Sequence, residues 1–327
     1  MQETRRSTAA VHAHAPVCSI VIPCFNASVT IAATLNSACR QTVTNIEIIV
    51  IDDGSHDTGP AIVSAIAARD PRVRLIVQKN AGVSVARNTG IAAAMARTIA
   101  LLDADDLWAP DHLETHLAHL RDPRIGVSFS AARFIDTSGV VVGQSRPKLN
   151  NLTPADLLFS NPTTTCSTLV IRRDVFKDIG VFRTDMRHNE DQEWLFRVAL
   201  SGWVMSGDPM PRVDYRTSPR GLAADLDGMF AGFHTMMREA RKLAPNLVER
   251  NASRATASMQ HYLARRAIRL GLAPKVARSF ILAAIRTRPS MLLTEPRSTL
   301  PTLIAALAPP ALLAPMLHYI RPRPASA

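Results

Sequence analysis

Cysteine is scarce in this 327-residue chain, with four residues (Cys18, Cys24, Cys39 and Cys166), no CxxC pair and no histidine partner at metal-ligand spacing. That excludes a disulfide scaffold or a zinc ribbon and points to reduced thiols acting as small core side chains. Aromatic residues make up 5% of the chain, and no nucleic-acid recognition motif or interleaved basic and aromatic stretch occurs. Nucleic acid is therefore not an expected partner, in spite of a net charge of +11. The N-terminus, MQETRRSTAAVHAHAP, contains arginines but no apolar run before the first strand. Residues 1–16 are read as a flexible N-terminus without a secretory signal, so the expected location is cytoplasmic. No internal repeat and no low-complexity linker is visible.

Charge is present but unevenly spread. Residues 1–150 carry 14 Lys and Arg against 13 Asp and Glu, residues 151–230 carry 9 against 11, and residues 231–327 carry 15 against 3. The basic surplus thus belongs to the C-terminal stretch, where DLDGMFAGFHTMMREARKLA, SRATASMQHYLARRAIRLGL and APKVARSFILAAIRTRPSMLL follow one another with helical periodicity. Residues 221–297 are read as a basic helical region. Residues 298–320 carry no formally charged side chain, a length sufficient to span a bilayer. Pro301, Pro309, Pro310 and Pro315 are expected to break a single straight helix there. Residues 298–327 are therefore read as an apolar, proline-rich tail lying at a membrane interface, because flanking arginines favour anionic lipid by about 1 kcal/mol each. The expected setting is peripheral, on the cytoplasmic face of a membrane.

From Cys18 to Phe134, short β-branched runs (CSIVIP, IEIIVID, VRLIVQ, TIALLD, IGVSFSAARF) alternate with Ala-rich segments of helical length. Continuous apolar strands separated by helices predict a parallel sheet covered on both faces, an α/β doubly wound domain. Ligands of such sheets bind beyond the carboxyl ends of the strands. Two of these ends are acidic: IEIIVID runs into Asp52, Asp53, Gly54 and Ser55, and TIALLD runs into Asp103, Asp105 and Asp106. Further on, RRDVFKDIG and NEDQEWLFRVALSG read as helices stopped by Gly180 and Gly202, with Glu190 and Asp191 in the first turn of the second.

Three carboxylates packed at a strand end are explained if a divalent cation neutralises them. Mg²⁺ or Mn²⁺ takes oxygen ligands, commonly one or two from the protein and the rest from substrate phosphates and water. The plainer alternative is that Asp106 or Asp111 caps the following helix. Asp53 in DDGS has a similar alternative as part of a tight turn, Arg87 as a surface helix arginine, and Asp191 as a first-turn acid serving only the helix dipole. His188 and Cys166 are read as structural, and His112 and His116 as lying on the polar face of their helix.

Taken in order, VCSIVIPCFNASVTIAATLNSACRQTVTNIEIIVIDDGSHDT, NAGVSVARNTGIAAAMA, IALLDADDLWAPDHL and FKDIGVFRTDMRHNEDQEWLFRVA resemble the family 2 glycosyltransferases over about residues 17–220. The resemblance implies a GT-A fold, a Rossmann-related mixed sheet, here with a C-terminal helical appendage. It divides residues 17–220 into a nucleotide-binding half (17–134) and an acceptor half (135–220). It implies donor contacts from Pro23, Phe25, Asn26, Asp53, Arg87 and Asp103, with Asp53 on the base. Asp105 is implied as the metal ligand, with Asp103 and Asp106 as candidate helpers, and Asp191 as the catalytic base. Trp108 and Pro110 are read as shaping the turn after the metal site.

The function so implied is inverting transfer of one sugar from a nucleotide-diphosphate sugar, a UDP-sugar by default, to a glycan or lipid-linked acceptor in polysaccharide or cell-envelope synthesis. Two departures from the family pattern matter. No Gln-x-x-Arg-Trp run follows the base, which favours single addition over polymerisation, and YRTSPRG stands where many members have YRxH. The competing readings are a catalytically inactive nucleotide-sugar-binding scaffold and a basic nucleic-acid-binding protein.

Overall fold

The computed structural model describes residues 15–218, 221 and 224–308. Most of the flexible N-terminus expected from the sequence, and the tail beyond residue 308 with Pro309, Pro310 and Pro315, lie outside these residues. The first unit is β1 (Cys18–Cys24), α1 (Ile31–Cys39), β2 (Ile46–Asp52), α2 (Gly59–Ala67), β3 (Val73–Val77), α3 (Val83–Ala93) and β4 (Thr98–Leu101). Then come β5 (Leu107–Trp108), α4 (His112–His119), β6 (Ile125–Ile135), β7 (Val141–Gln144), α5 (Pro154–Phe159), β8 (Val170–Arg172), α6 (Arg173–Ile179), α7 (Glu190–Ser201) and β9 (Val204–Arg216). The remainder is helical: α8 (Leu226–Leu243), α9 (Pro245–Arg269), α10 (Pro274–Thr287), α11 (Met291–Thr294) and α12 (Pro296–Leu307).

The strands form one mixed sheet in the order β3-β2-β1-β4-β8-β6-β9-β5, with β7 paired to β6. Strands β3, β2, β1 and β4 are parallel, as the alternating pattern predicts. Every residue of β1 and β2 is buried, because helices cover both faces. The wholly parallel sheet expected from the alternation stops at β4, where β8 enters antiparallel with Val170 opposite Ala100. Strand β8 comes from the expected acceptor half yet lies between β4 and β6 of the nucleotide half, so the two halves interleave in one sheet.

That insertion positions the site. A strand running antiparallel to β4 begins where β4 ends, so the segment before β8, residues 161–168, arrives at the carboxyl rim of the parallel strands. Similarly, β9 runs parallel to β6 and pairs antiparallel with β5, Leu107 opposite Asp214, so its last residues meet the stretch that follows β4.

The C-terminal helices are less of an appendage than the charge distribution suggests. One continuous apolar cluster joins Val21, Leu101, Phe129 and Trp194 of the sheet unit to Phe233, Met236, Val248 and Leu263 of α8 and α9. Fully burying side chains of this size is worth about 1.5–3 kcal/mol each, so the helices and the sheet stabilise one another. Helix α12 continues through Pro301 instead of breaking there. The ring removes only the bond to the Arg297 carbonyl, and Thr302, Ala305 and Ala306 are buried against the protein. Among the described residues no helix is long and apolar enough to cross a membrane.

Candidate active site

The loops after β1 and β2 are laced together at the rim. Pro23 lies within β1 opposite Ile51, and Phe25, about half exposed, and Asn26 lie just beyond its end. Asn26 adopts φ 48°, a left-handed conformation that asparagine tolerates better than most residues. Its Oδ1 accepts from the His56 amide at 2.8 Å, and its own amide donates to Ser55 Oγ at 2.9 Å. Gly54, at φ 76°, is needed where it stands because a Cβ there would meet the Asn80 amide nitrogen at 2.8 Å.

Asp53 is buried and does more than close that turn. Its Oδ1 accepts from Gln78 Nε2 at 2.7 Å and from the Ala81 amide at 2.9 Å, while Oδ2 accepts from the Gly82 amide at 2.8 Å. The carboxylate thereby fixes the entry to α3, the helix that carries Arg87. The turn itself is held by the neighbouring Asp52, which accepts from the Ser55 amide.

Arg87 is not a surface arginine. It is buried, and its guanidinium spans two acids, donating from NH2 to Asp103 Oδ1 at 2.7 Å and from NH1 to Glu190 Oε1 at 2.8 Å. These two ion pairs keep the guanidinium charged against its burial. In the described conformation its partners are carboxylates, which ties the end of β4 to the start of α7.

The three aspartates after β4 have separate environments. Asp103 holds Arg87 and also faces Thr165 Oγ1 at 3.3 Å. Asp106 is fully buried, accepting from Ser167 Oγ at 2.6 Å and from the Arg216 amide at 2.9 Å. Burial first, then Asp105 and Asp103, push its carboxyl well above the ordinary carboxylate range. Asp106 therefore does not cap α4. Asp111 occupies the N-cap position of α4, but its side chain makes no capping bond and pairs with Arg212. Trp108 is buried in β5 and donates from Nε1 to the Ser167 carbonyl at 2.7 Å, holding the turn as expected.

Asp105 opens to solvent yet is crowded by protein. Burial and the adjacent Asp103 raise its carboxyl to about 6, with Arg216 opposing. The Arg216 guanidinium is spent on carbonyl oxygens, those of Asp105, Asp136 and Thr137. Among the described residues no group of three or more His, Cys, Asp or Glu side chains converges as a metal cluster. The donor set fits a hard cation that takes one or two protein oxygens and completes its shell from outside.

Asp191 is the second residue of α7, which starts with Glu190 directly after Asn189, whose φ of 60° turns the chain into the helix. Its Oδ2 accepts from Asn161 Nδ2 at 2.6 Å and its Oδ1 from the Gln192 amide at 2.7 Å. The Asn161 amide is oriented in turn by Thr163, whose amide and hydroxyl both donate to Asn161 Oδ1. Burial raises the Asp191 carboxyl, with Arg87, the Gln192 amide and Asn161 opposing. Glu190 beside it is raised to about 7 by burial and by Asp191, against the pull of Arg87.

The rim thus brings together Asp103, Asp105, Asp106, Arg87, Glu190 and Asp191. Asn161, Thr165 and Ser167 were not singled out from the sequence. They sit in the polar run NPTTTCST, which has no periodicity to mark it, and only the antiparallel entry of β8 reveals them. His188 is structural as expected, with Nε2 3.3 Å from Asp225 Oδ2 on the approach to α8, and Cys166 is a buried thiol. His112 and His116 are a correction. Both are fully buried, His112 stacked on Trp108 with ring centroids 4.2 Å apart, so they face the core and not solvent.

Comparison with known proteins agrees with this architecture. The family profile "Glycosyl transferase family 2" matches residues 19–180. TuaG of Bacillus subtilis (strain 168), a proposed teichuronic acid biosynthesis glycosyltransferase, is 30% identical over 64% of this chain and 82% of its own length. EpsH of the same organism, a proposed glycosyltransferase, is 31% identical over 62% of this chain, but the match takes in only 61% of EpsH. WfgD of Escherichia coli, a UDP-Glc:alpha-D-GlcNAc-diphosphoundecaprenol beta-1,3-glucosyltransferase, is 31% identical over 53% of this chain and 66% of its own. Among solved structures, the mannosyltransferase PcManGT from Pyrobaculum calidifontis, in complex with GDP-Man and Mn²⁺, superposes with a TM-score of 0.57 at 20% identity, covering 90% of this chain and 85% of that one. S. aureus TarS 1–349 in complex with UDP-GlcNAc gives 0.55 at 16% identity, over 88% and 90%. These likenesses establish a GT-A fold.

Proposed function

The chain belongs to glycosyl transferase family 2, and from that premise we propose that it is an inverting enzyme. It would move one sugar from a nucleotide-diphosphate sugar, a UDP-sugar by default, to a glycan or lipid-linked acceptor in polysaccharide or cell-envelope synthesis. The observation that carries this is the joining of Asp103 to Glu190 through Arg87, which sets the acids after β4 and the Glu190–Asp191 pair around one rim. The relatives named above support the same class, and WfgD supports a lipid-linked acceptor.

In this reading the ends of β1 and β2, with Phe25, Asn26 and Asp53, receive the nucleoside. Asp105, with Asp103, would hold Mg²⁺ or Mn²⁺, since Asp105 is exposed and its carboxylate forms no ion pair among the described residues, the nearby Arg216 guanidinium being bonded to carbonyl oxygens. A bound divalent cation stabilises negative charge on a departing nucleoside diphosphate. Asp191 takes the acceptor hydroxyl proton as the acceptor oxygen bonds to the anomeric carbon and the bond from that carbon to the diphosphate oxygen breaks. Base and leaving group on opposite sides of that carbon give inversion. Two hydrogen bonds to Asp191 leave lone pairs on each oxygen free to accept that proton. Peripheral attachment to the cytoplasmic face of a membrane would bring the site to a lipid-linked acceptor.

A panel of nucleotide sugars screened by thermal shift with Mn²⁺ tests the donor and the metal together, because a ligand that binds only the native state raises its stability. The expected result is a UDP-sugar shift that requires Mn²⁺, is lost in Asp105→Asn, and weakens as pH falls through about 6, where Asp105 takes up a proton that competes with the cation. A shift indifferent to Mn²⁺ and to Asp105→Asn contradicts the proposed metal site.

A further inference from the structure

A helix on a protein surface ordinarily turns its apolar side inward and its polar side to water. Helix α12 does the reverse. Its buried side carries Thr299, Thr302, Ala305 and Ala306, while Leu300, Ile304 and Leu307 on its outer side are 43%, 53% and 50% exposed. The inward threonines are hydrogen-bonded. Thr302 Oγ1 donates to the Ser298 carbonyl at 2.8 Å and lies 3.1 Å from His261 Nε2 of α9, and Thr299 Oγ1 donates to the Met291 carbonyl at 3.4 Å. The outer residues follow one another at helical spacing, and with Arg297 one turn earlier they form a single stripe along the helix. Single exposed leucines are ordinary on a protein surface, whereas an aligned row marks a contact. Leu293 of α11, the element that packs on α12, is 85% exposed.

The charge around this row is of one sign. Residues 270–308 carry five Lys and Arg against a single acid, Glu295, which pairs with Arg288 at 2.9 Å. Lys275, Arg278, Arg286 and Arg297 are exposed and form no ion pair among the described residues. Lys275, Arg278 and Arg286 fall on one side of α10, opposite the buried Ala277, Ile281 and Ala284. Helices α10 and α12 pack on each other and both pack on α9, so their exposed sides turn away from α9 together. Two copies pairing through this face would set unpaired cations against each other with no acid to offset them, which disfavours a dimer.

We propose that Leu300, Ile304 and Leu307 of α12, flanked by Arg297 and the basic side of α10, form a docking surface for an anionic lipid bilayer. The apolar row enters the boundary between head groups and acyl chains, and the cations meet lipid phosphates. An apolar medium outside explains a helix whose outer side is apolar, and an anionic one explains cations without acids. This rests on the proposed glycosyltransferase reading, in which a docked enzyme meets a lipid-linked acceptor, and it deepens that reading by locating the contact on a folded helix.

Sedimentation of the full-length protein with phosphatidylglycerol or phosphatidylcholine vesicles tests this. Wild type should bind phosphatidylglycerol vesicles, more weakly at high salt, and phosphatidylcholine vesicles far less. In Leu300→Gln/Ile304→Gln/Leu307→Gln the affinity for phosphatidylglycerol vesicles should fall about tenfold or more, because these side chains no longer gain by leaving water. The variant should melt no lower than wild type, since all three positions face outward. In Lys275→Gln/Arg278→Gln/Arg286→Gln the same affinity should fall about tenfold or more, and most of the salt dependence should go with it. Ile304→Trp should bind more tightly than wild type, because tryptophan favours the membrane interface, and this gain decides the matter if the apolar-to-glutamine variant is unstable. Wild type that does not bind phosphatidylglycerol vesicles, or equal binding by the apolar-to-glutamine variant, overturns the proposal. A wild-type dimer, seen by light scattering, that this variant dissociates would assign the face to a second copy and overturn it as well. Failure of wild type to bind any nucleotide sugar with Mn²⁺ would instead contradict the glycosyltransferase reading, and vesicle binding, measured without donor, does not depend on that result.

Discussion

Arg87 NH1 donates to Glu190 Oε1 at 2.8 Å across 103 positions of sequence, and the same guanidinium holds Asp103. A buried arginine shared by two acids makes the end of β4 and the start of α7 one electrostatic unit. Removing one member of such a buried pair typically costs about 3–5 kcal/mol, because the other charge is left uncompensated. The position of Asp191 at the rim therefore depends on a residue that α3 contributes and Asp53 orders.

Glu190 should make stability depend on pH. Its folded pKa is raised from 4.5 to about 7. A raised pKa means that its contribution is fully present below about pH 4.5 and is lost as pH rises through about 7. In Glu190→Gln, which still accepts from Arg87, the decline in melting temperature between pH 5 and pH 8 should be shallower than in wild type. Calorimetry across that range checks it, and an unchanged slope would contradict the assigned shift.

Asn161 holds the Asp191 carboxylate through a 2.6 Å hydrogen bond, which favours the charged form. Asn161→Ala should move the acidic limb of the kcat/KM profile to higher pH, because the lost bond lets burial push the Asp191 carboxyl further up. At a pH well above that limb, the rate loss should be smaller than the loss at pH 6. A uniform loss at every pH would mean that Asn161 does not act through the ionisation of Asp191.

His112 is buried with both ring nitrogens unpaired, stacked on Trp108 and edge-on to His116. Burial, His116 and Arg212 hold its pKa well below the usual value of 6.5, and His116 is brought down to about 3. A depressed histidine pKa means that the unfolded state binds more protons below about pH 6.5, so stability falls there as pH falls. His112→Phe keeps the stack and removes two buried unsatisfied nitrogens. It should stabilise the protein by about 1–3 kcal/mol, and by more at pH 5 than at pH 8, as measured by urea unfolding.

Much of the rim was legible in sequence because β1 and β2 are buried on both faces, which leaves unbroken apolar runs, and because acids stand at the ends of β2 and β4. The resemblance then named Asp191. Other parts had no local signal. Arg87 could be read as a surface residue because its partners lie 16 and 103 positions away. Asn161, Thr165 and Ser167 act only because β8 enters the sheet antiparallel, a matter of topology. The face of α4 was misread because histidine counts as polar in a periodic pattern, whereas His112 and His116 pack on Trp108 and Ser128 inside the protein. Helix α12 tolerates Pro301 because packing on its neighbours outweighs one missing hydrogen bond.

The central claim is that Asp191 is the base that deprotonates the acceptor at a rim where a nucleotide sugar is already bound. Sugar transfer by Asp191→Asn, beside wild type and with donor affinity measured on the same samples, tests it most directly. Loss of about 10²–10⁴-fold in kcat with unchanged donor affinity is the predicted outcome. Equal turnover by the two proteins would contradict it.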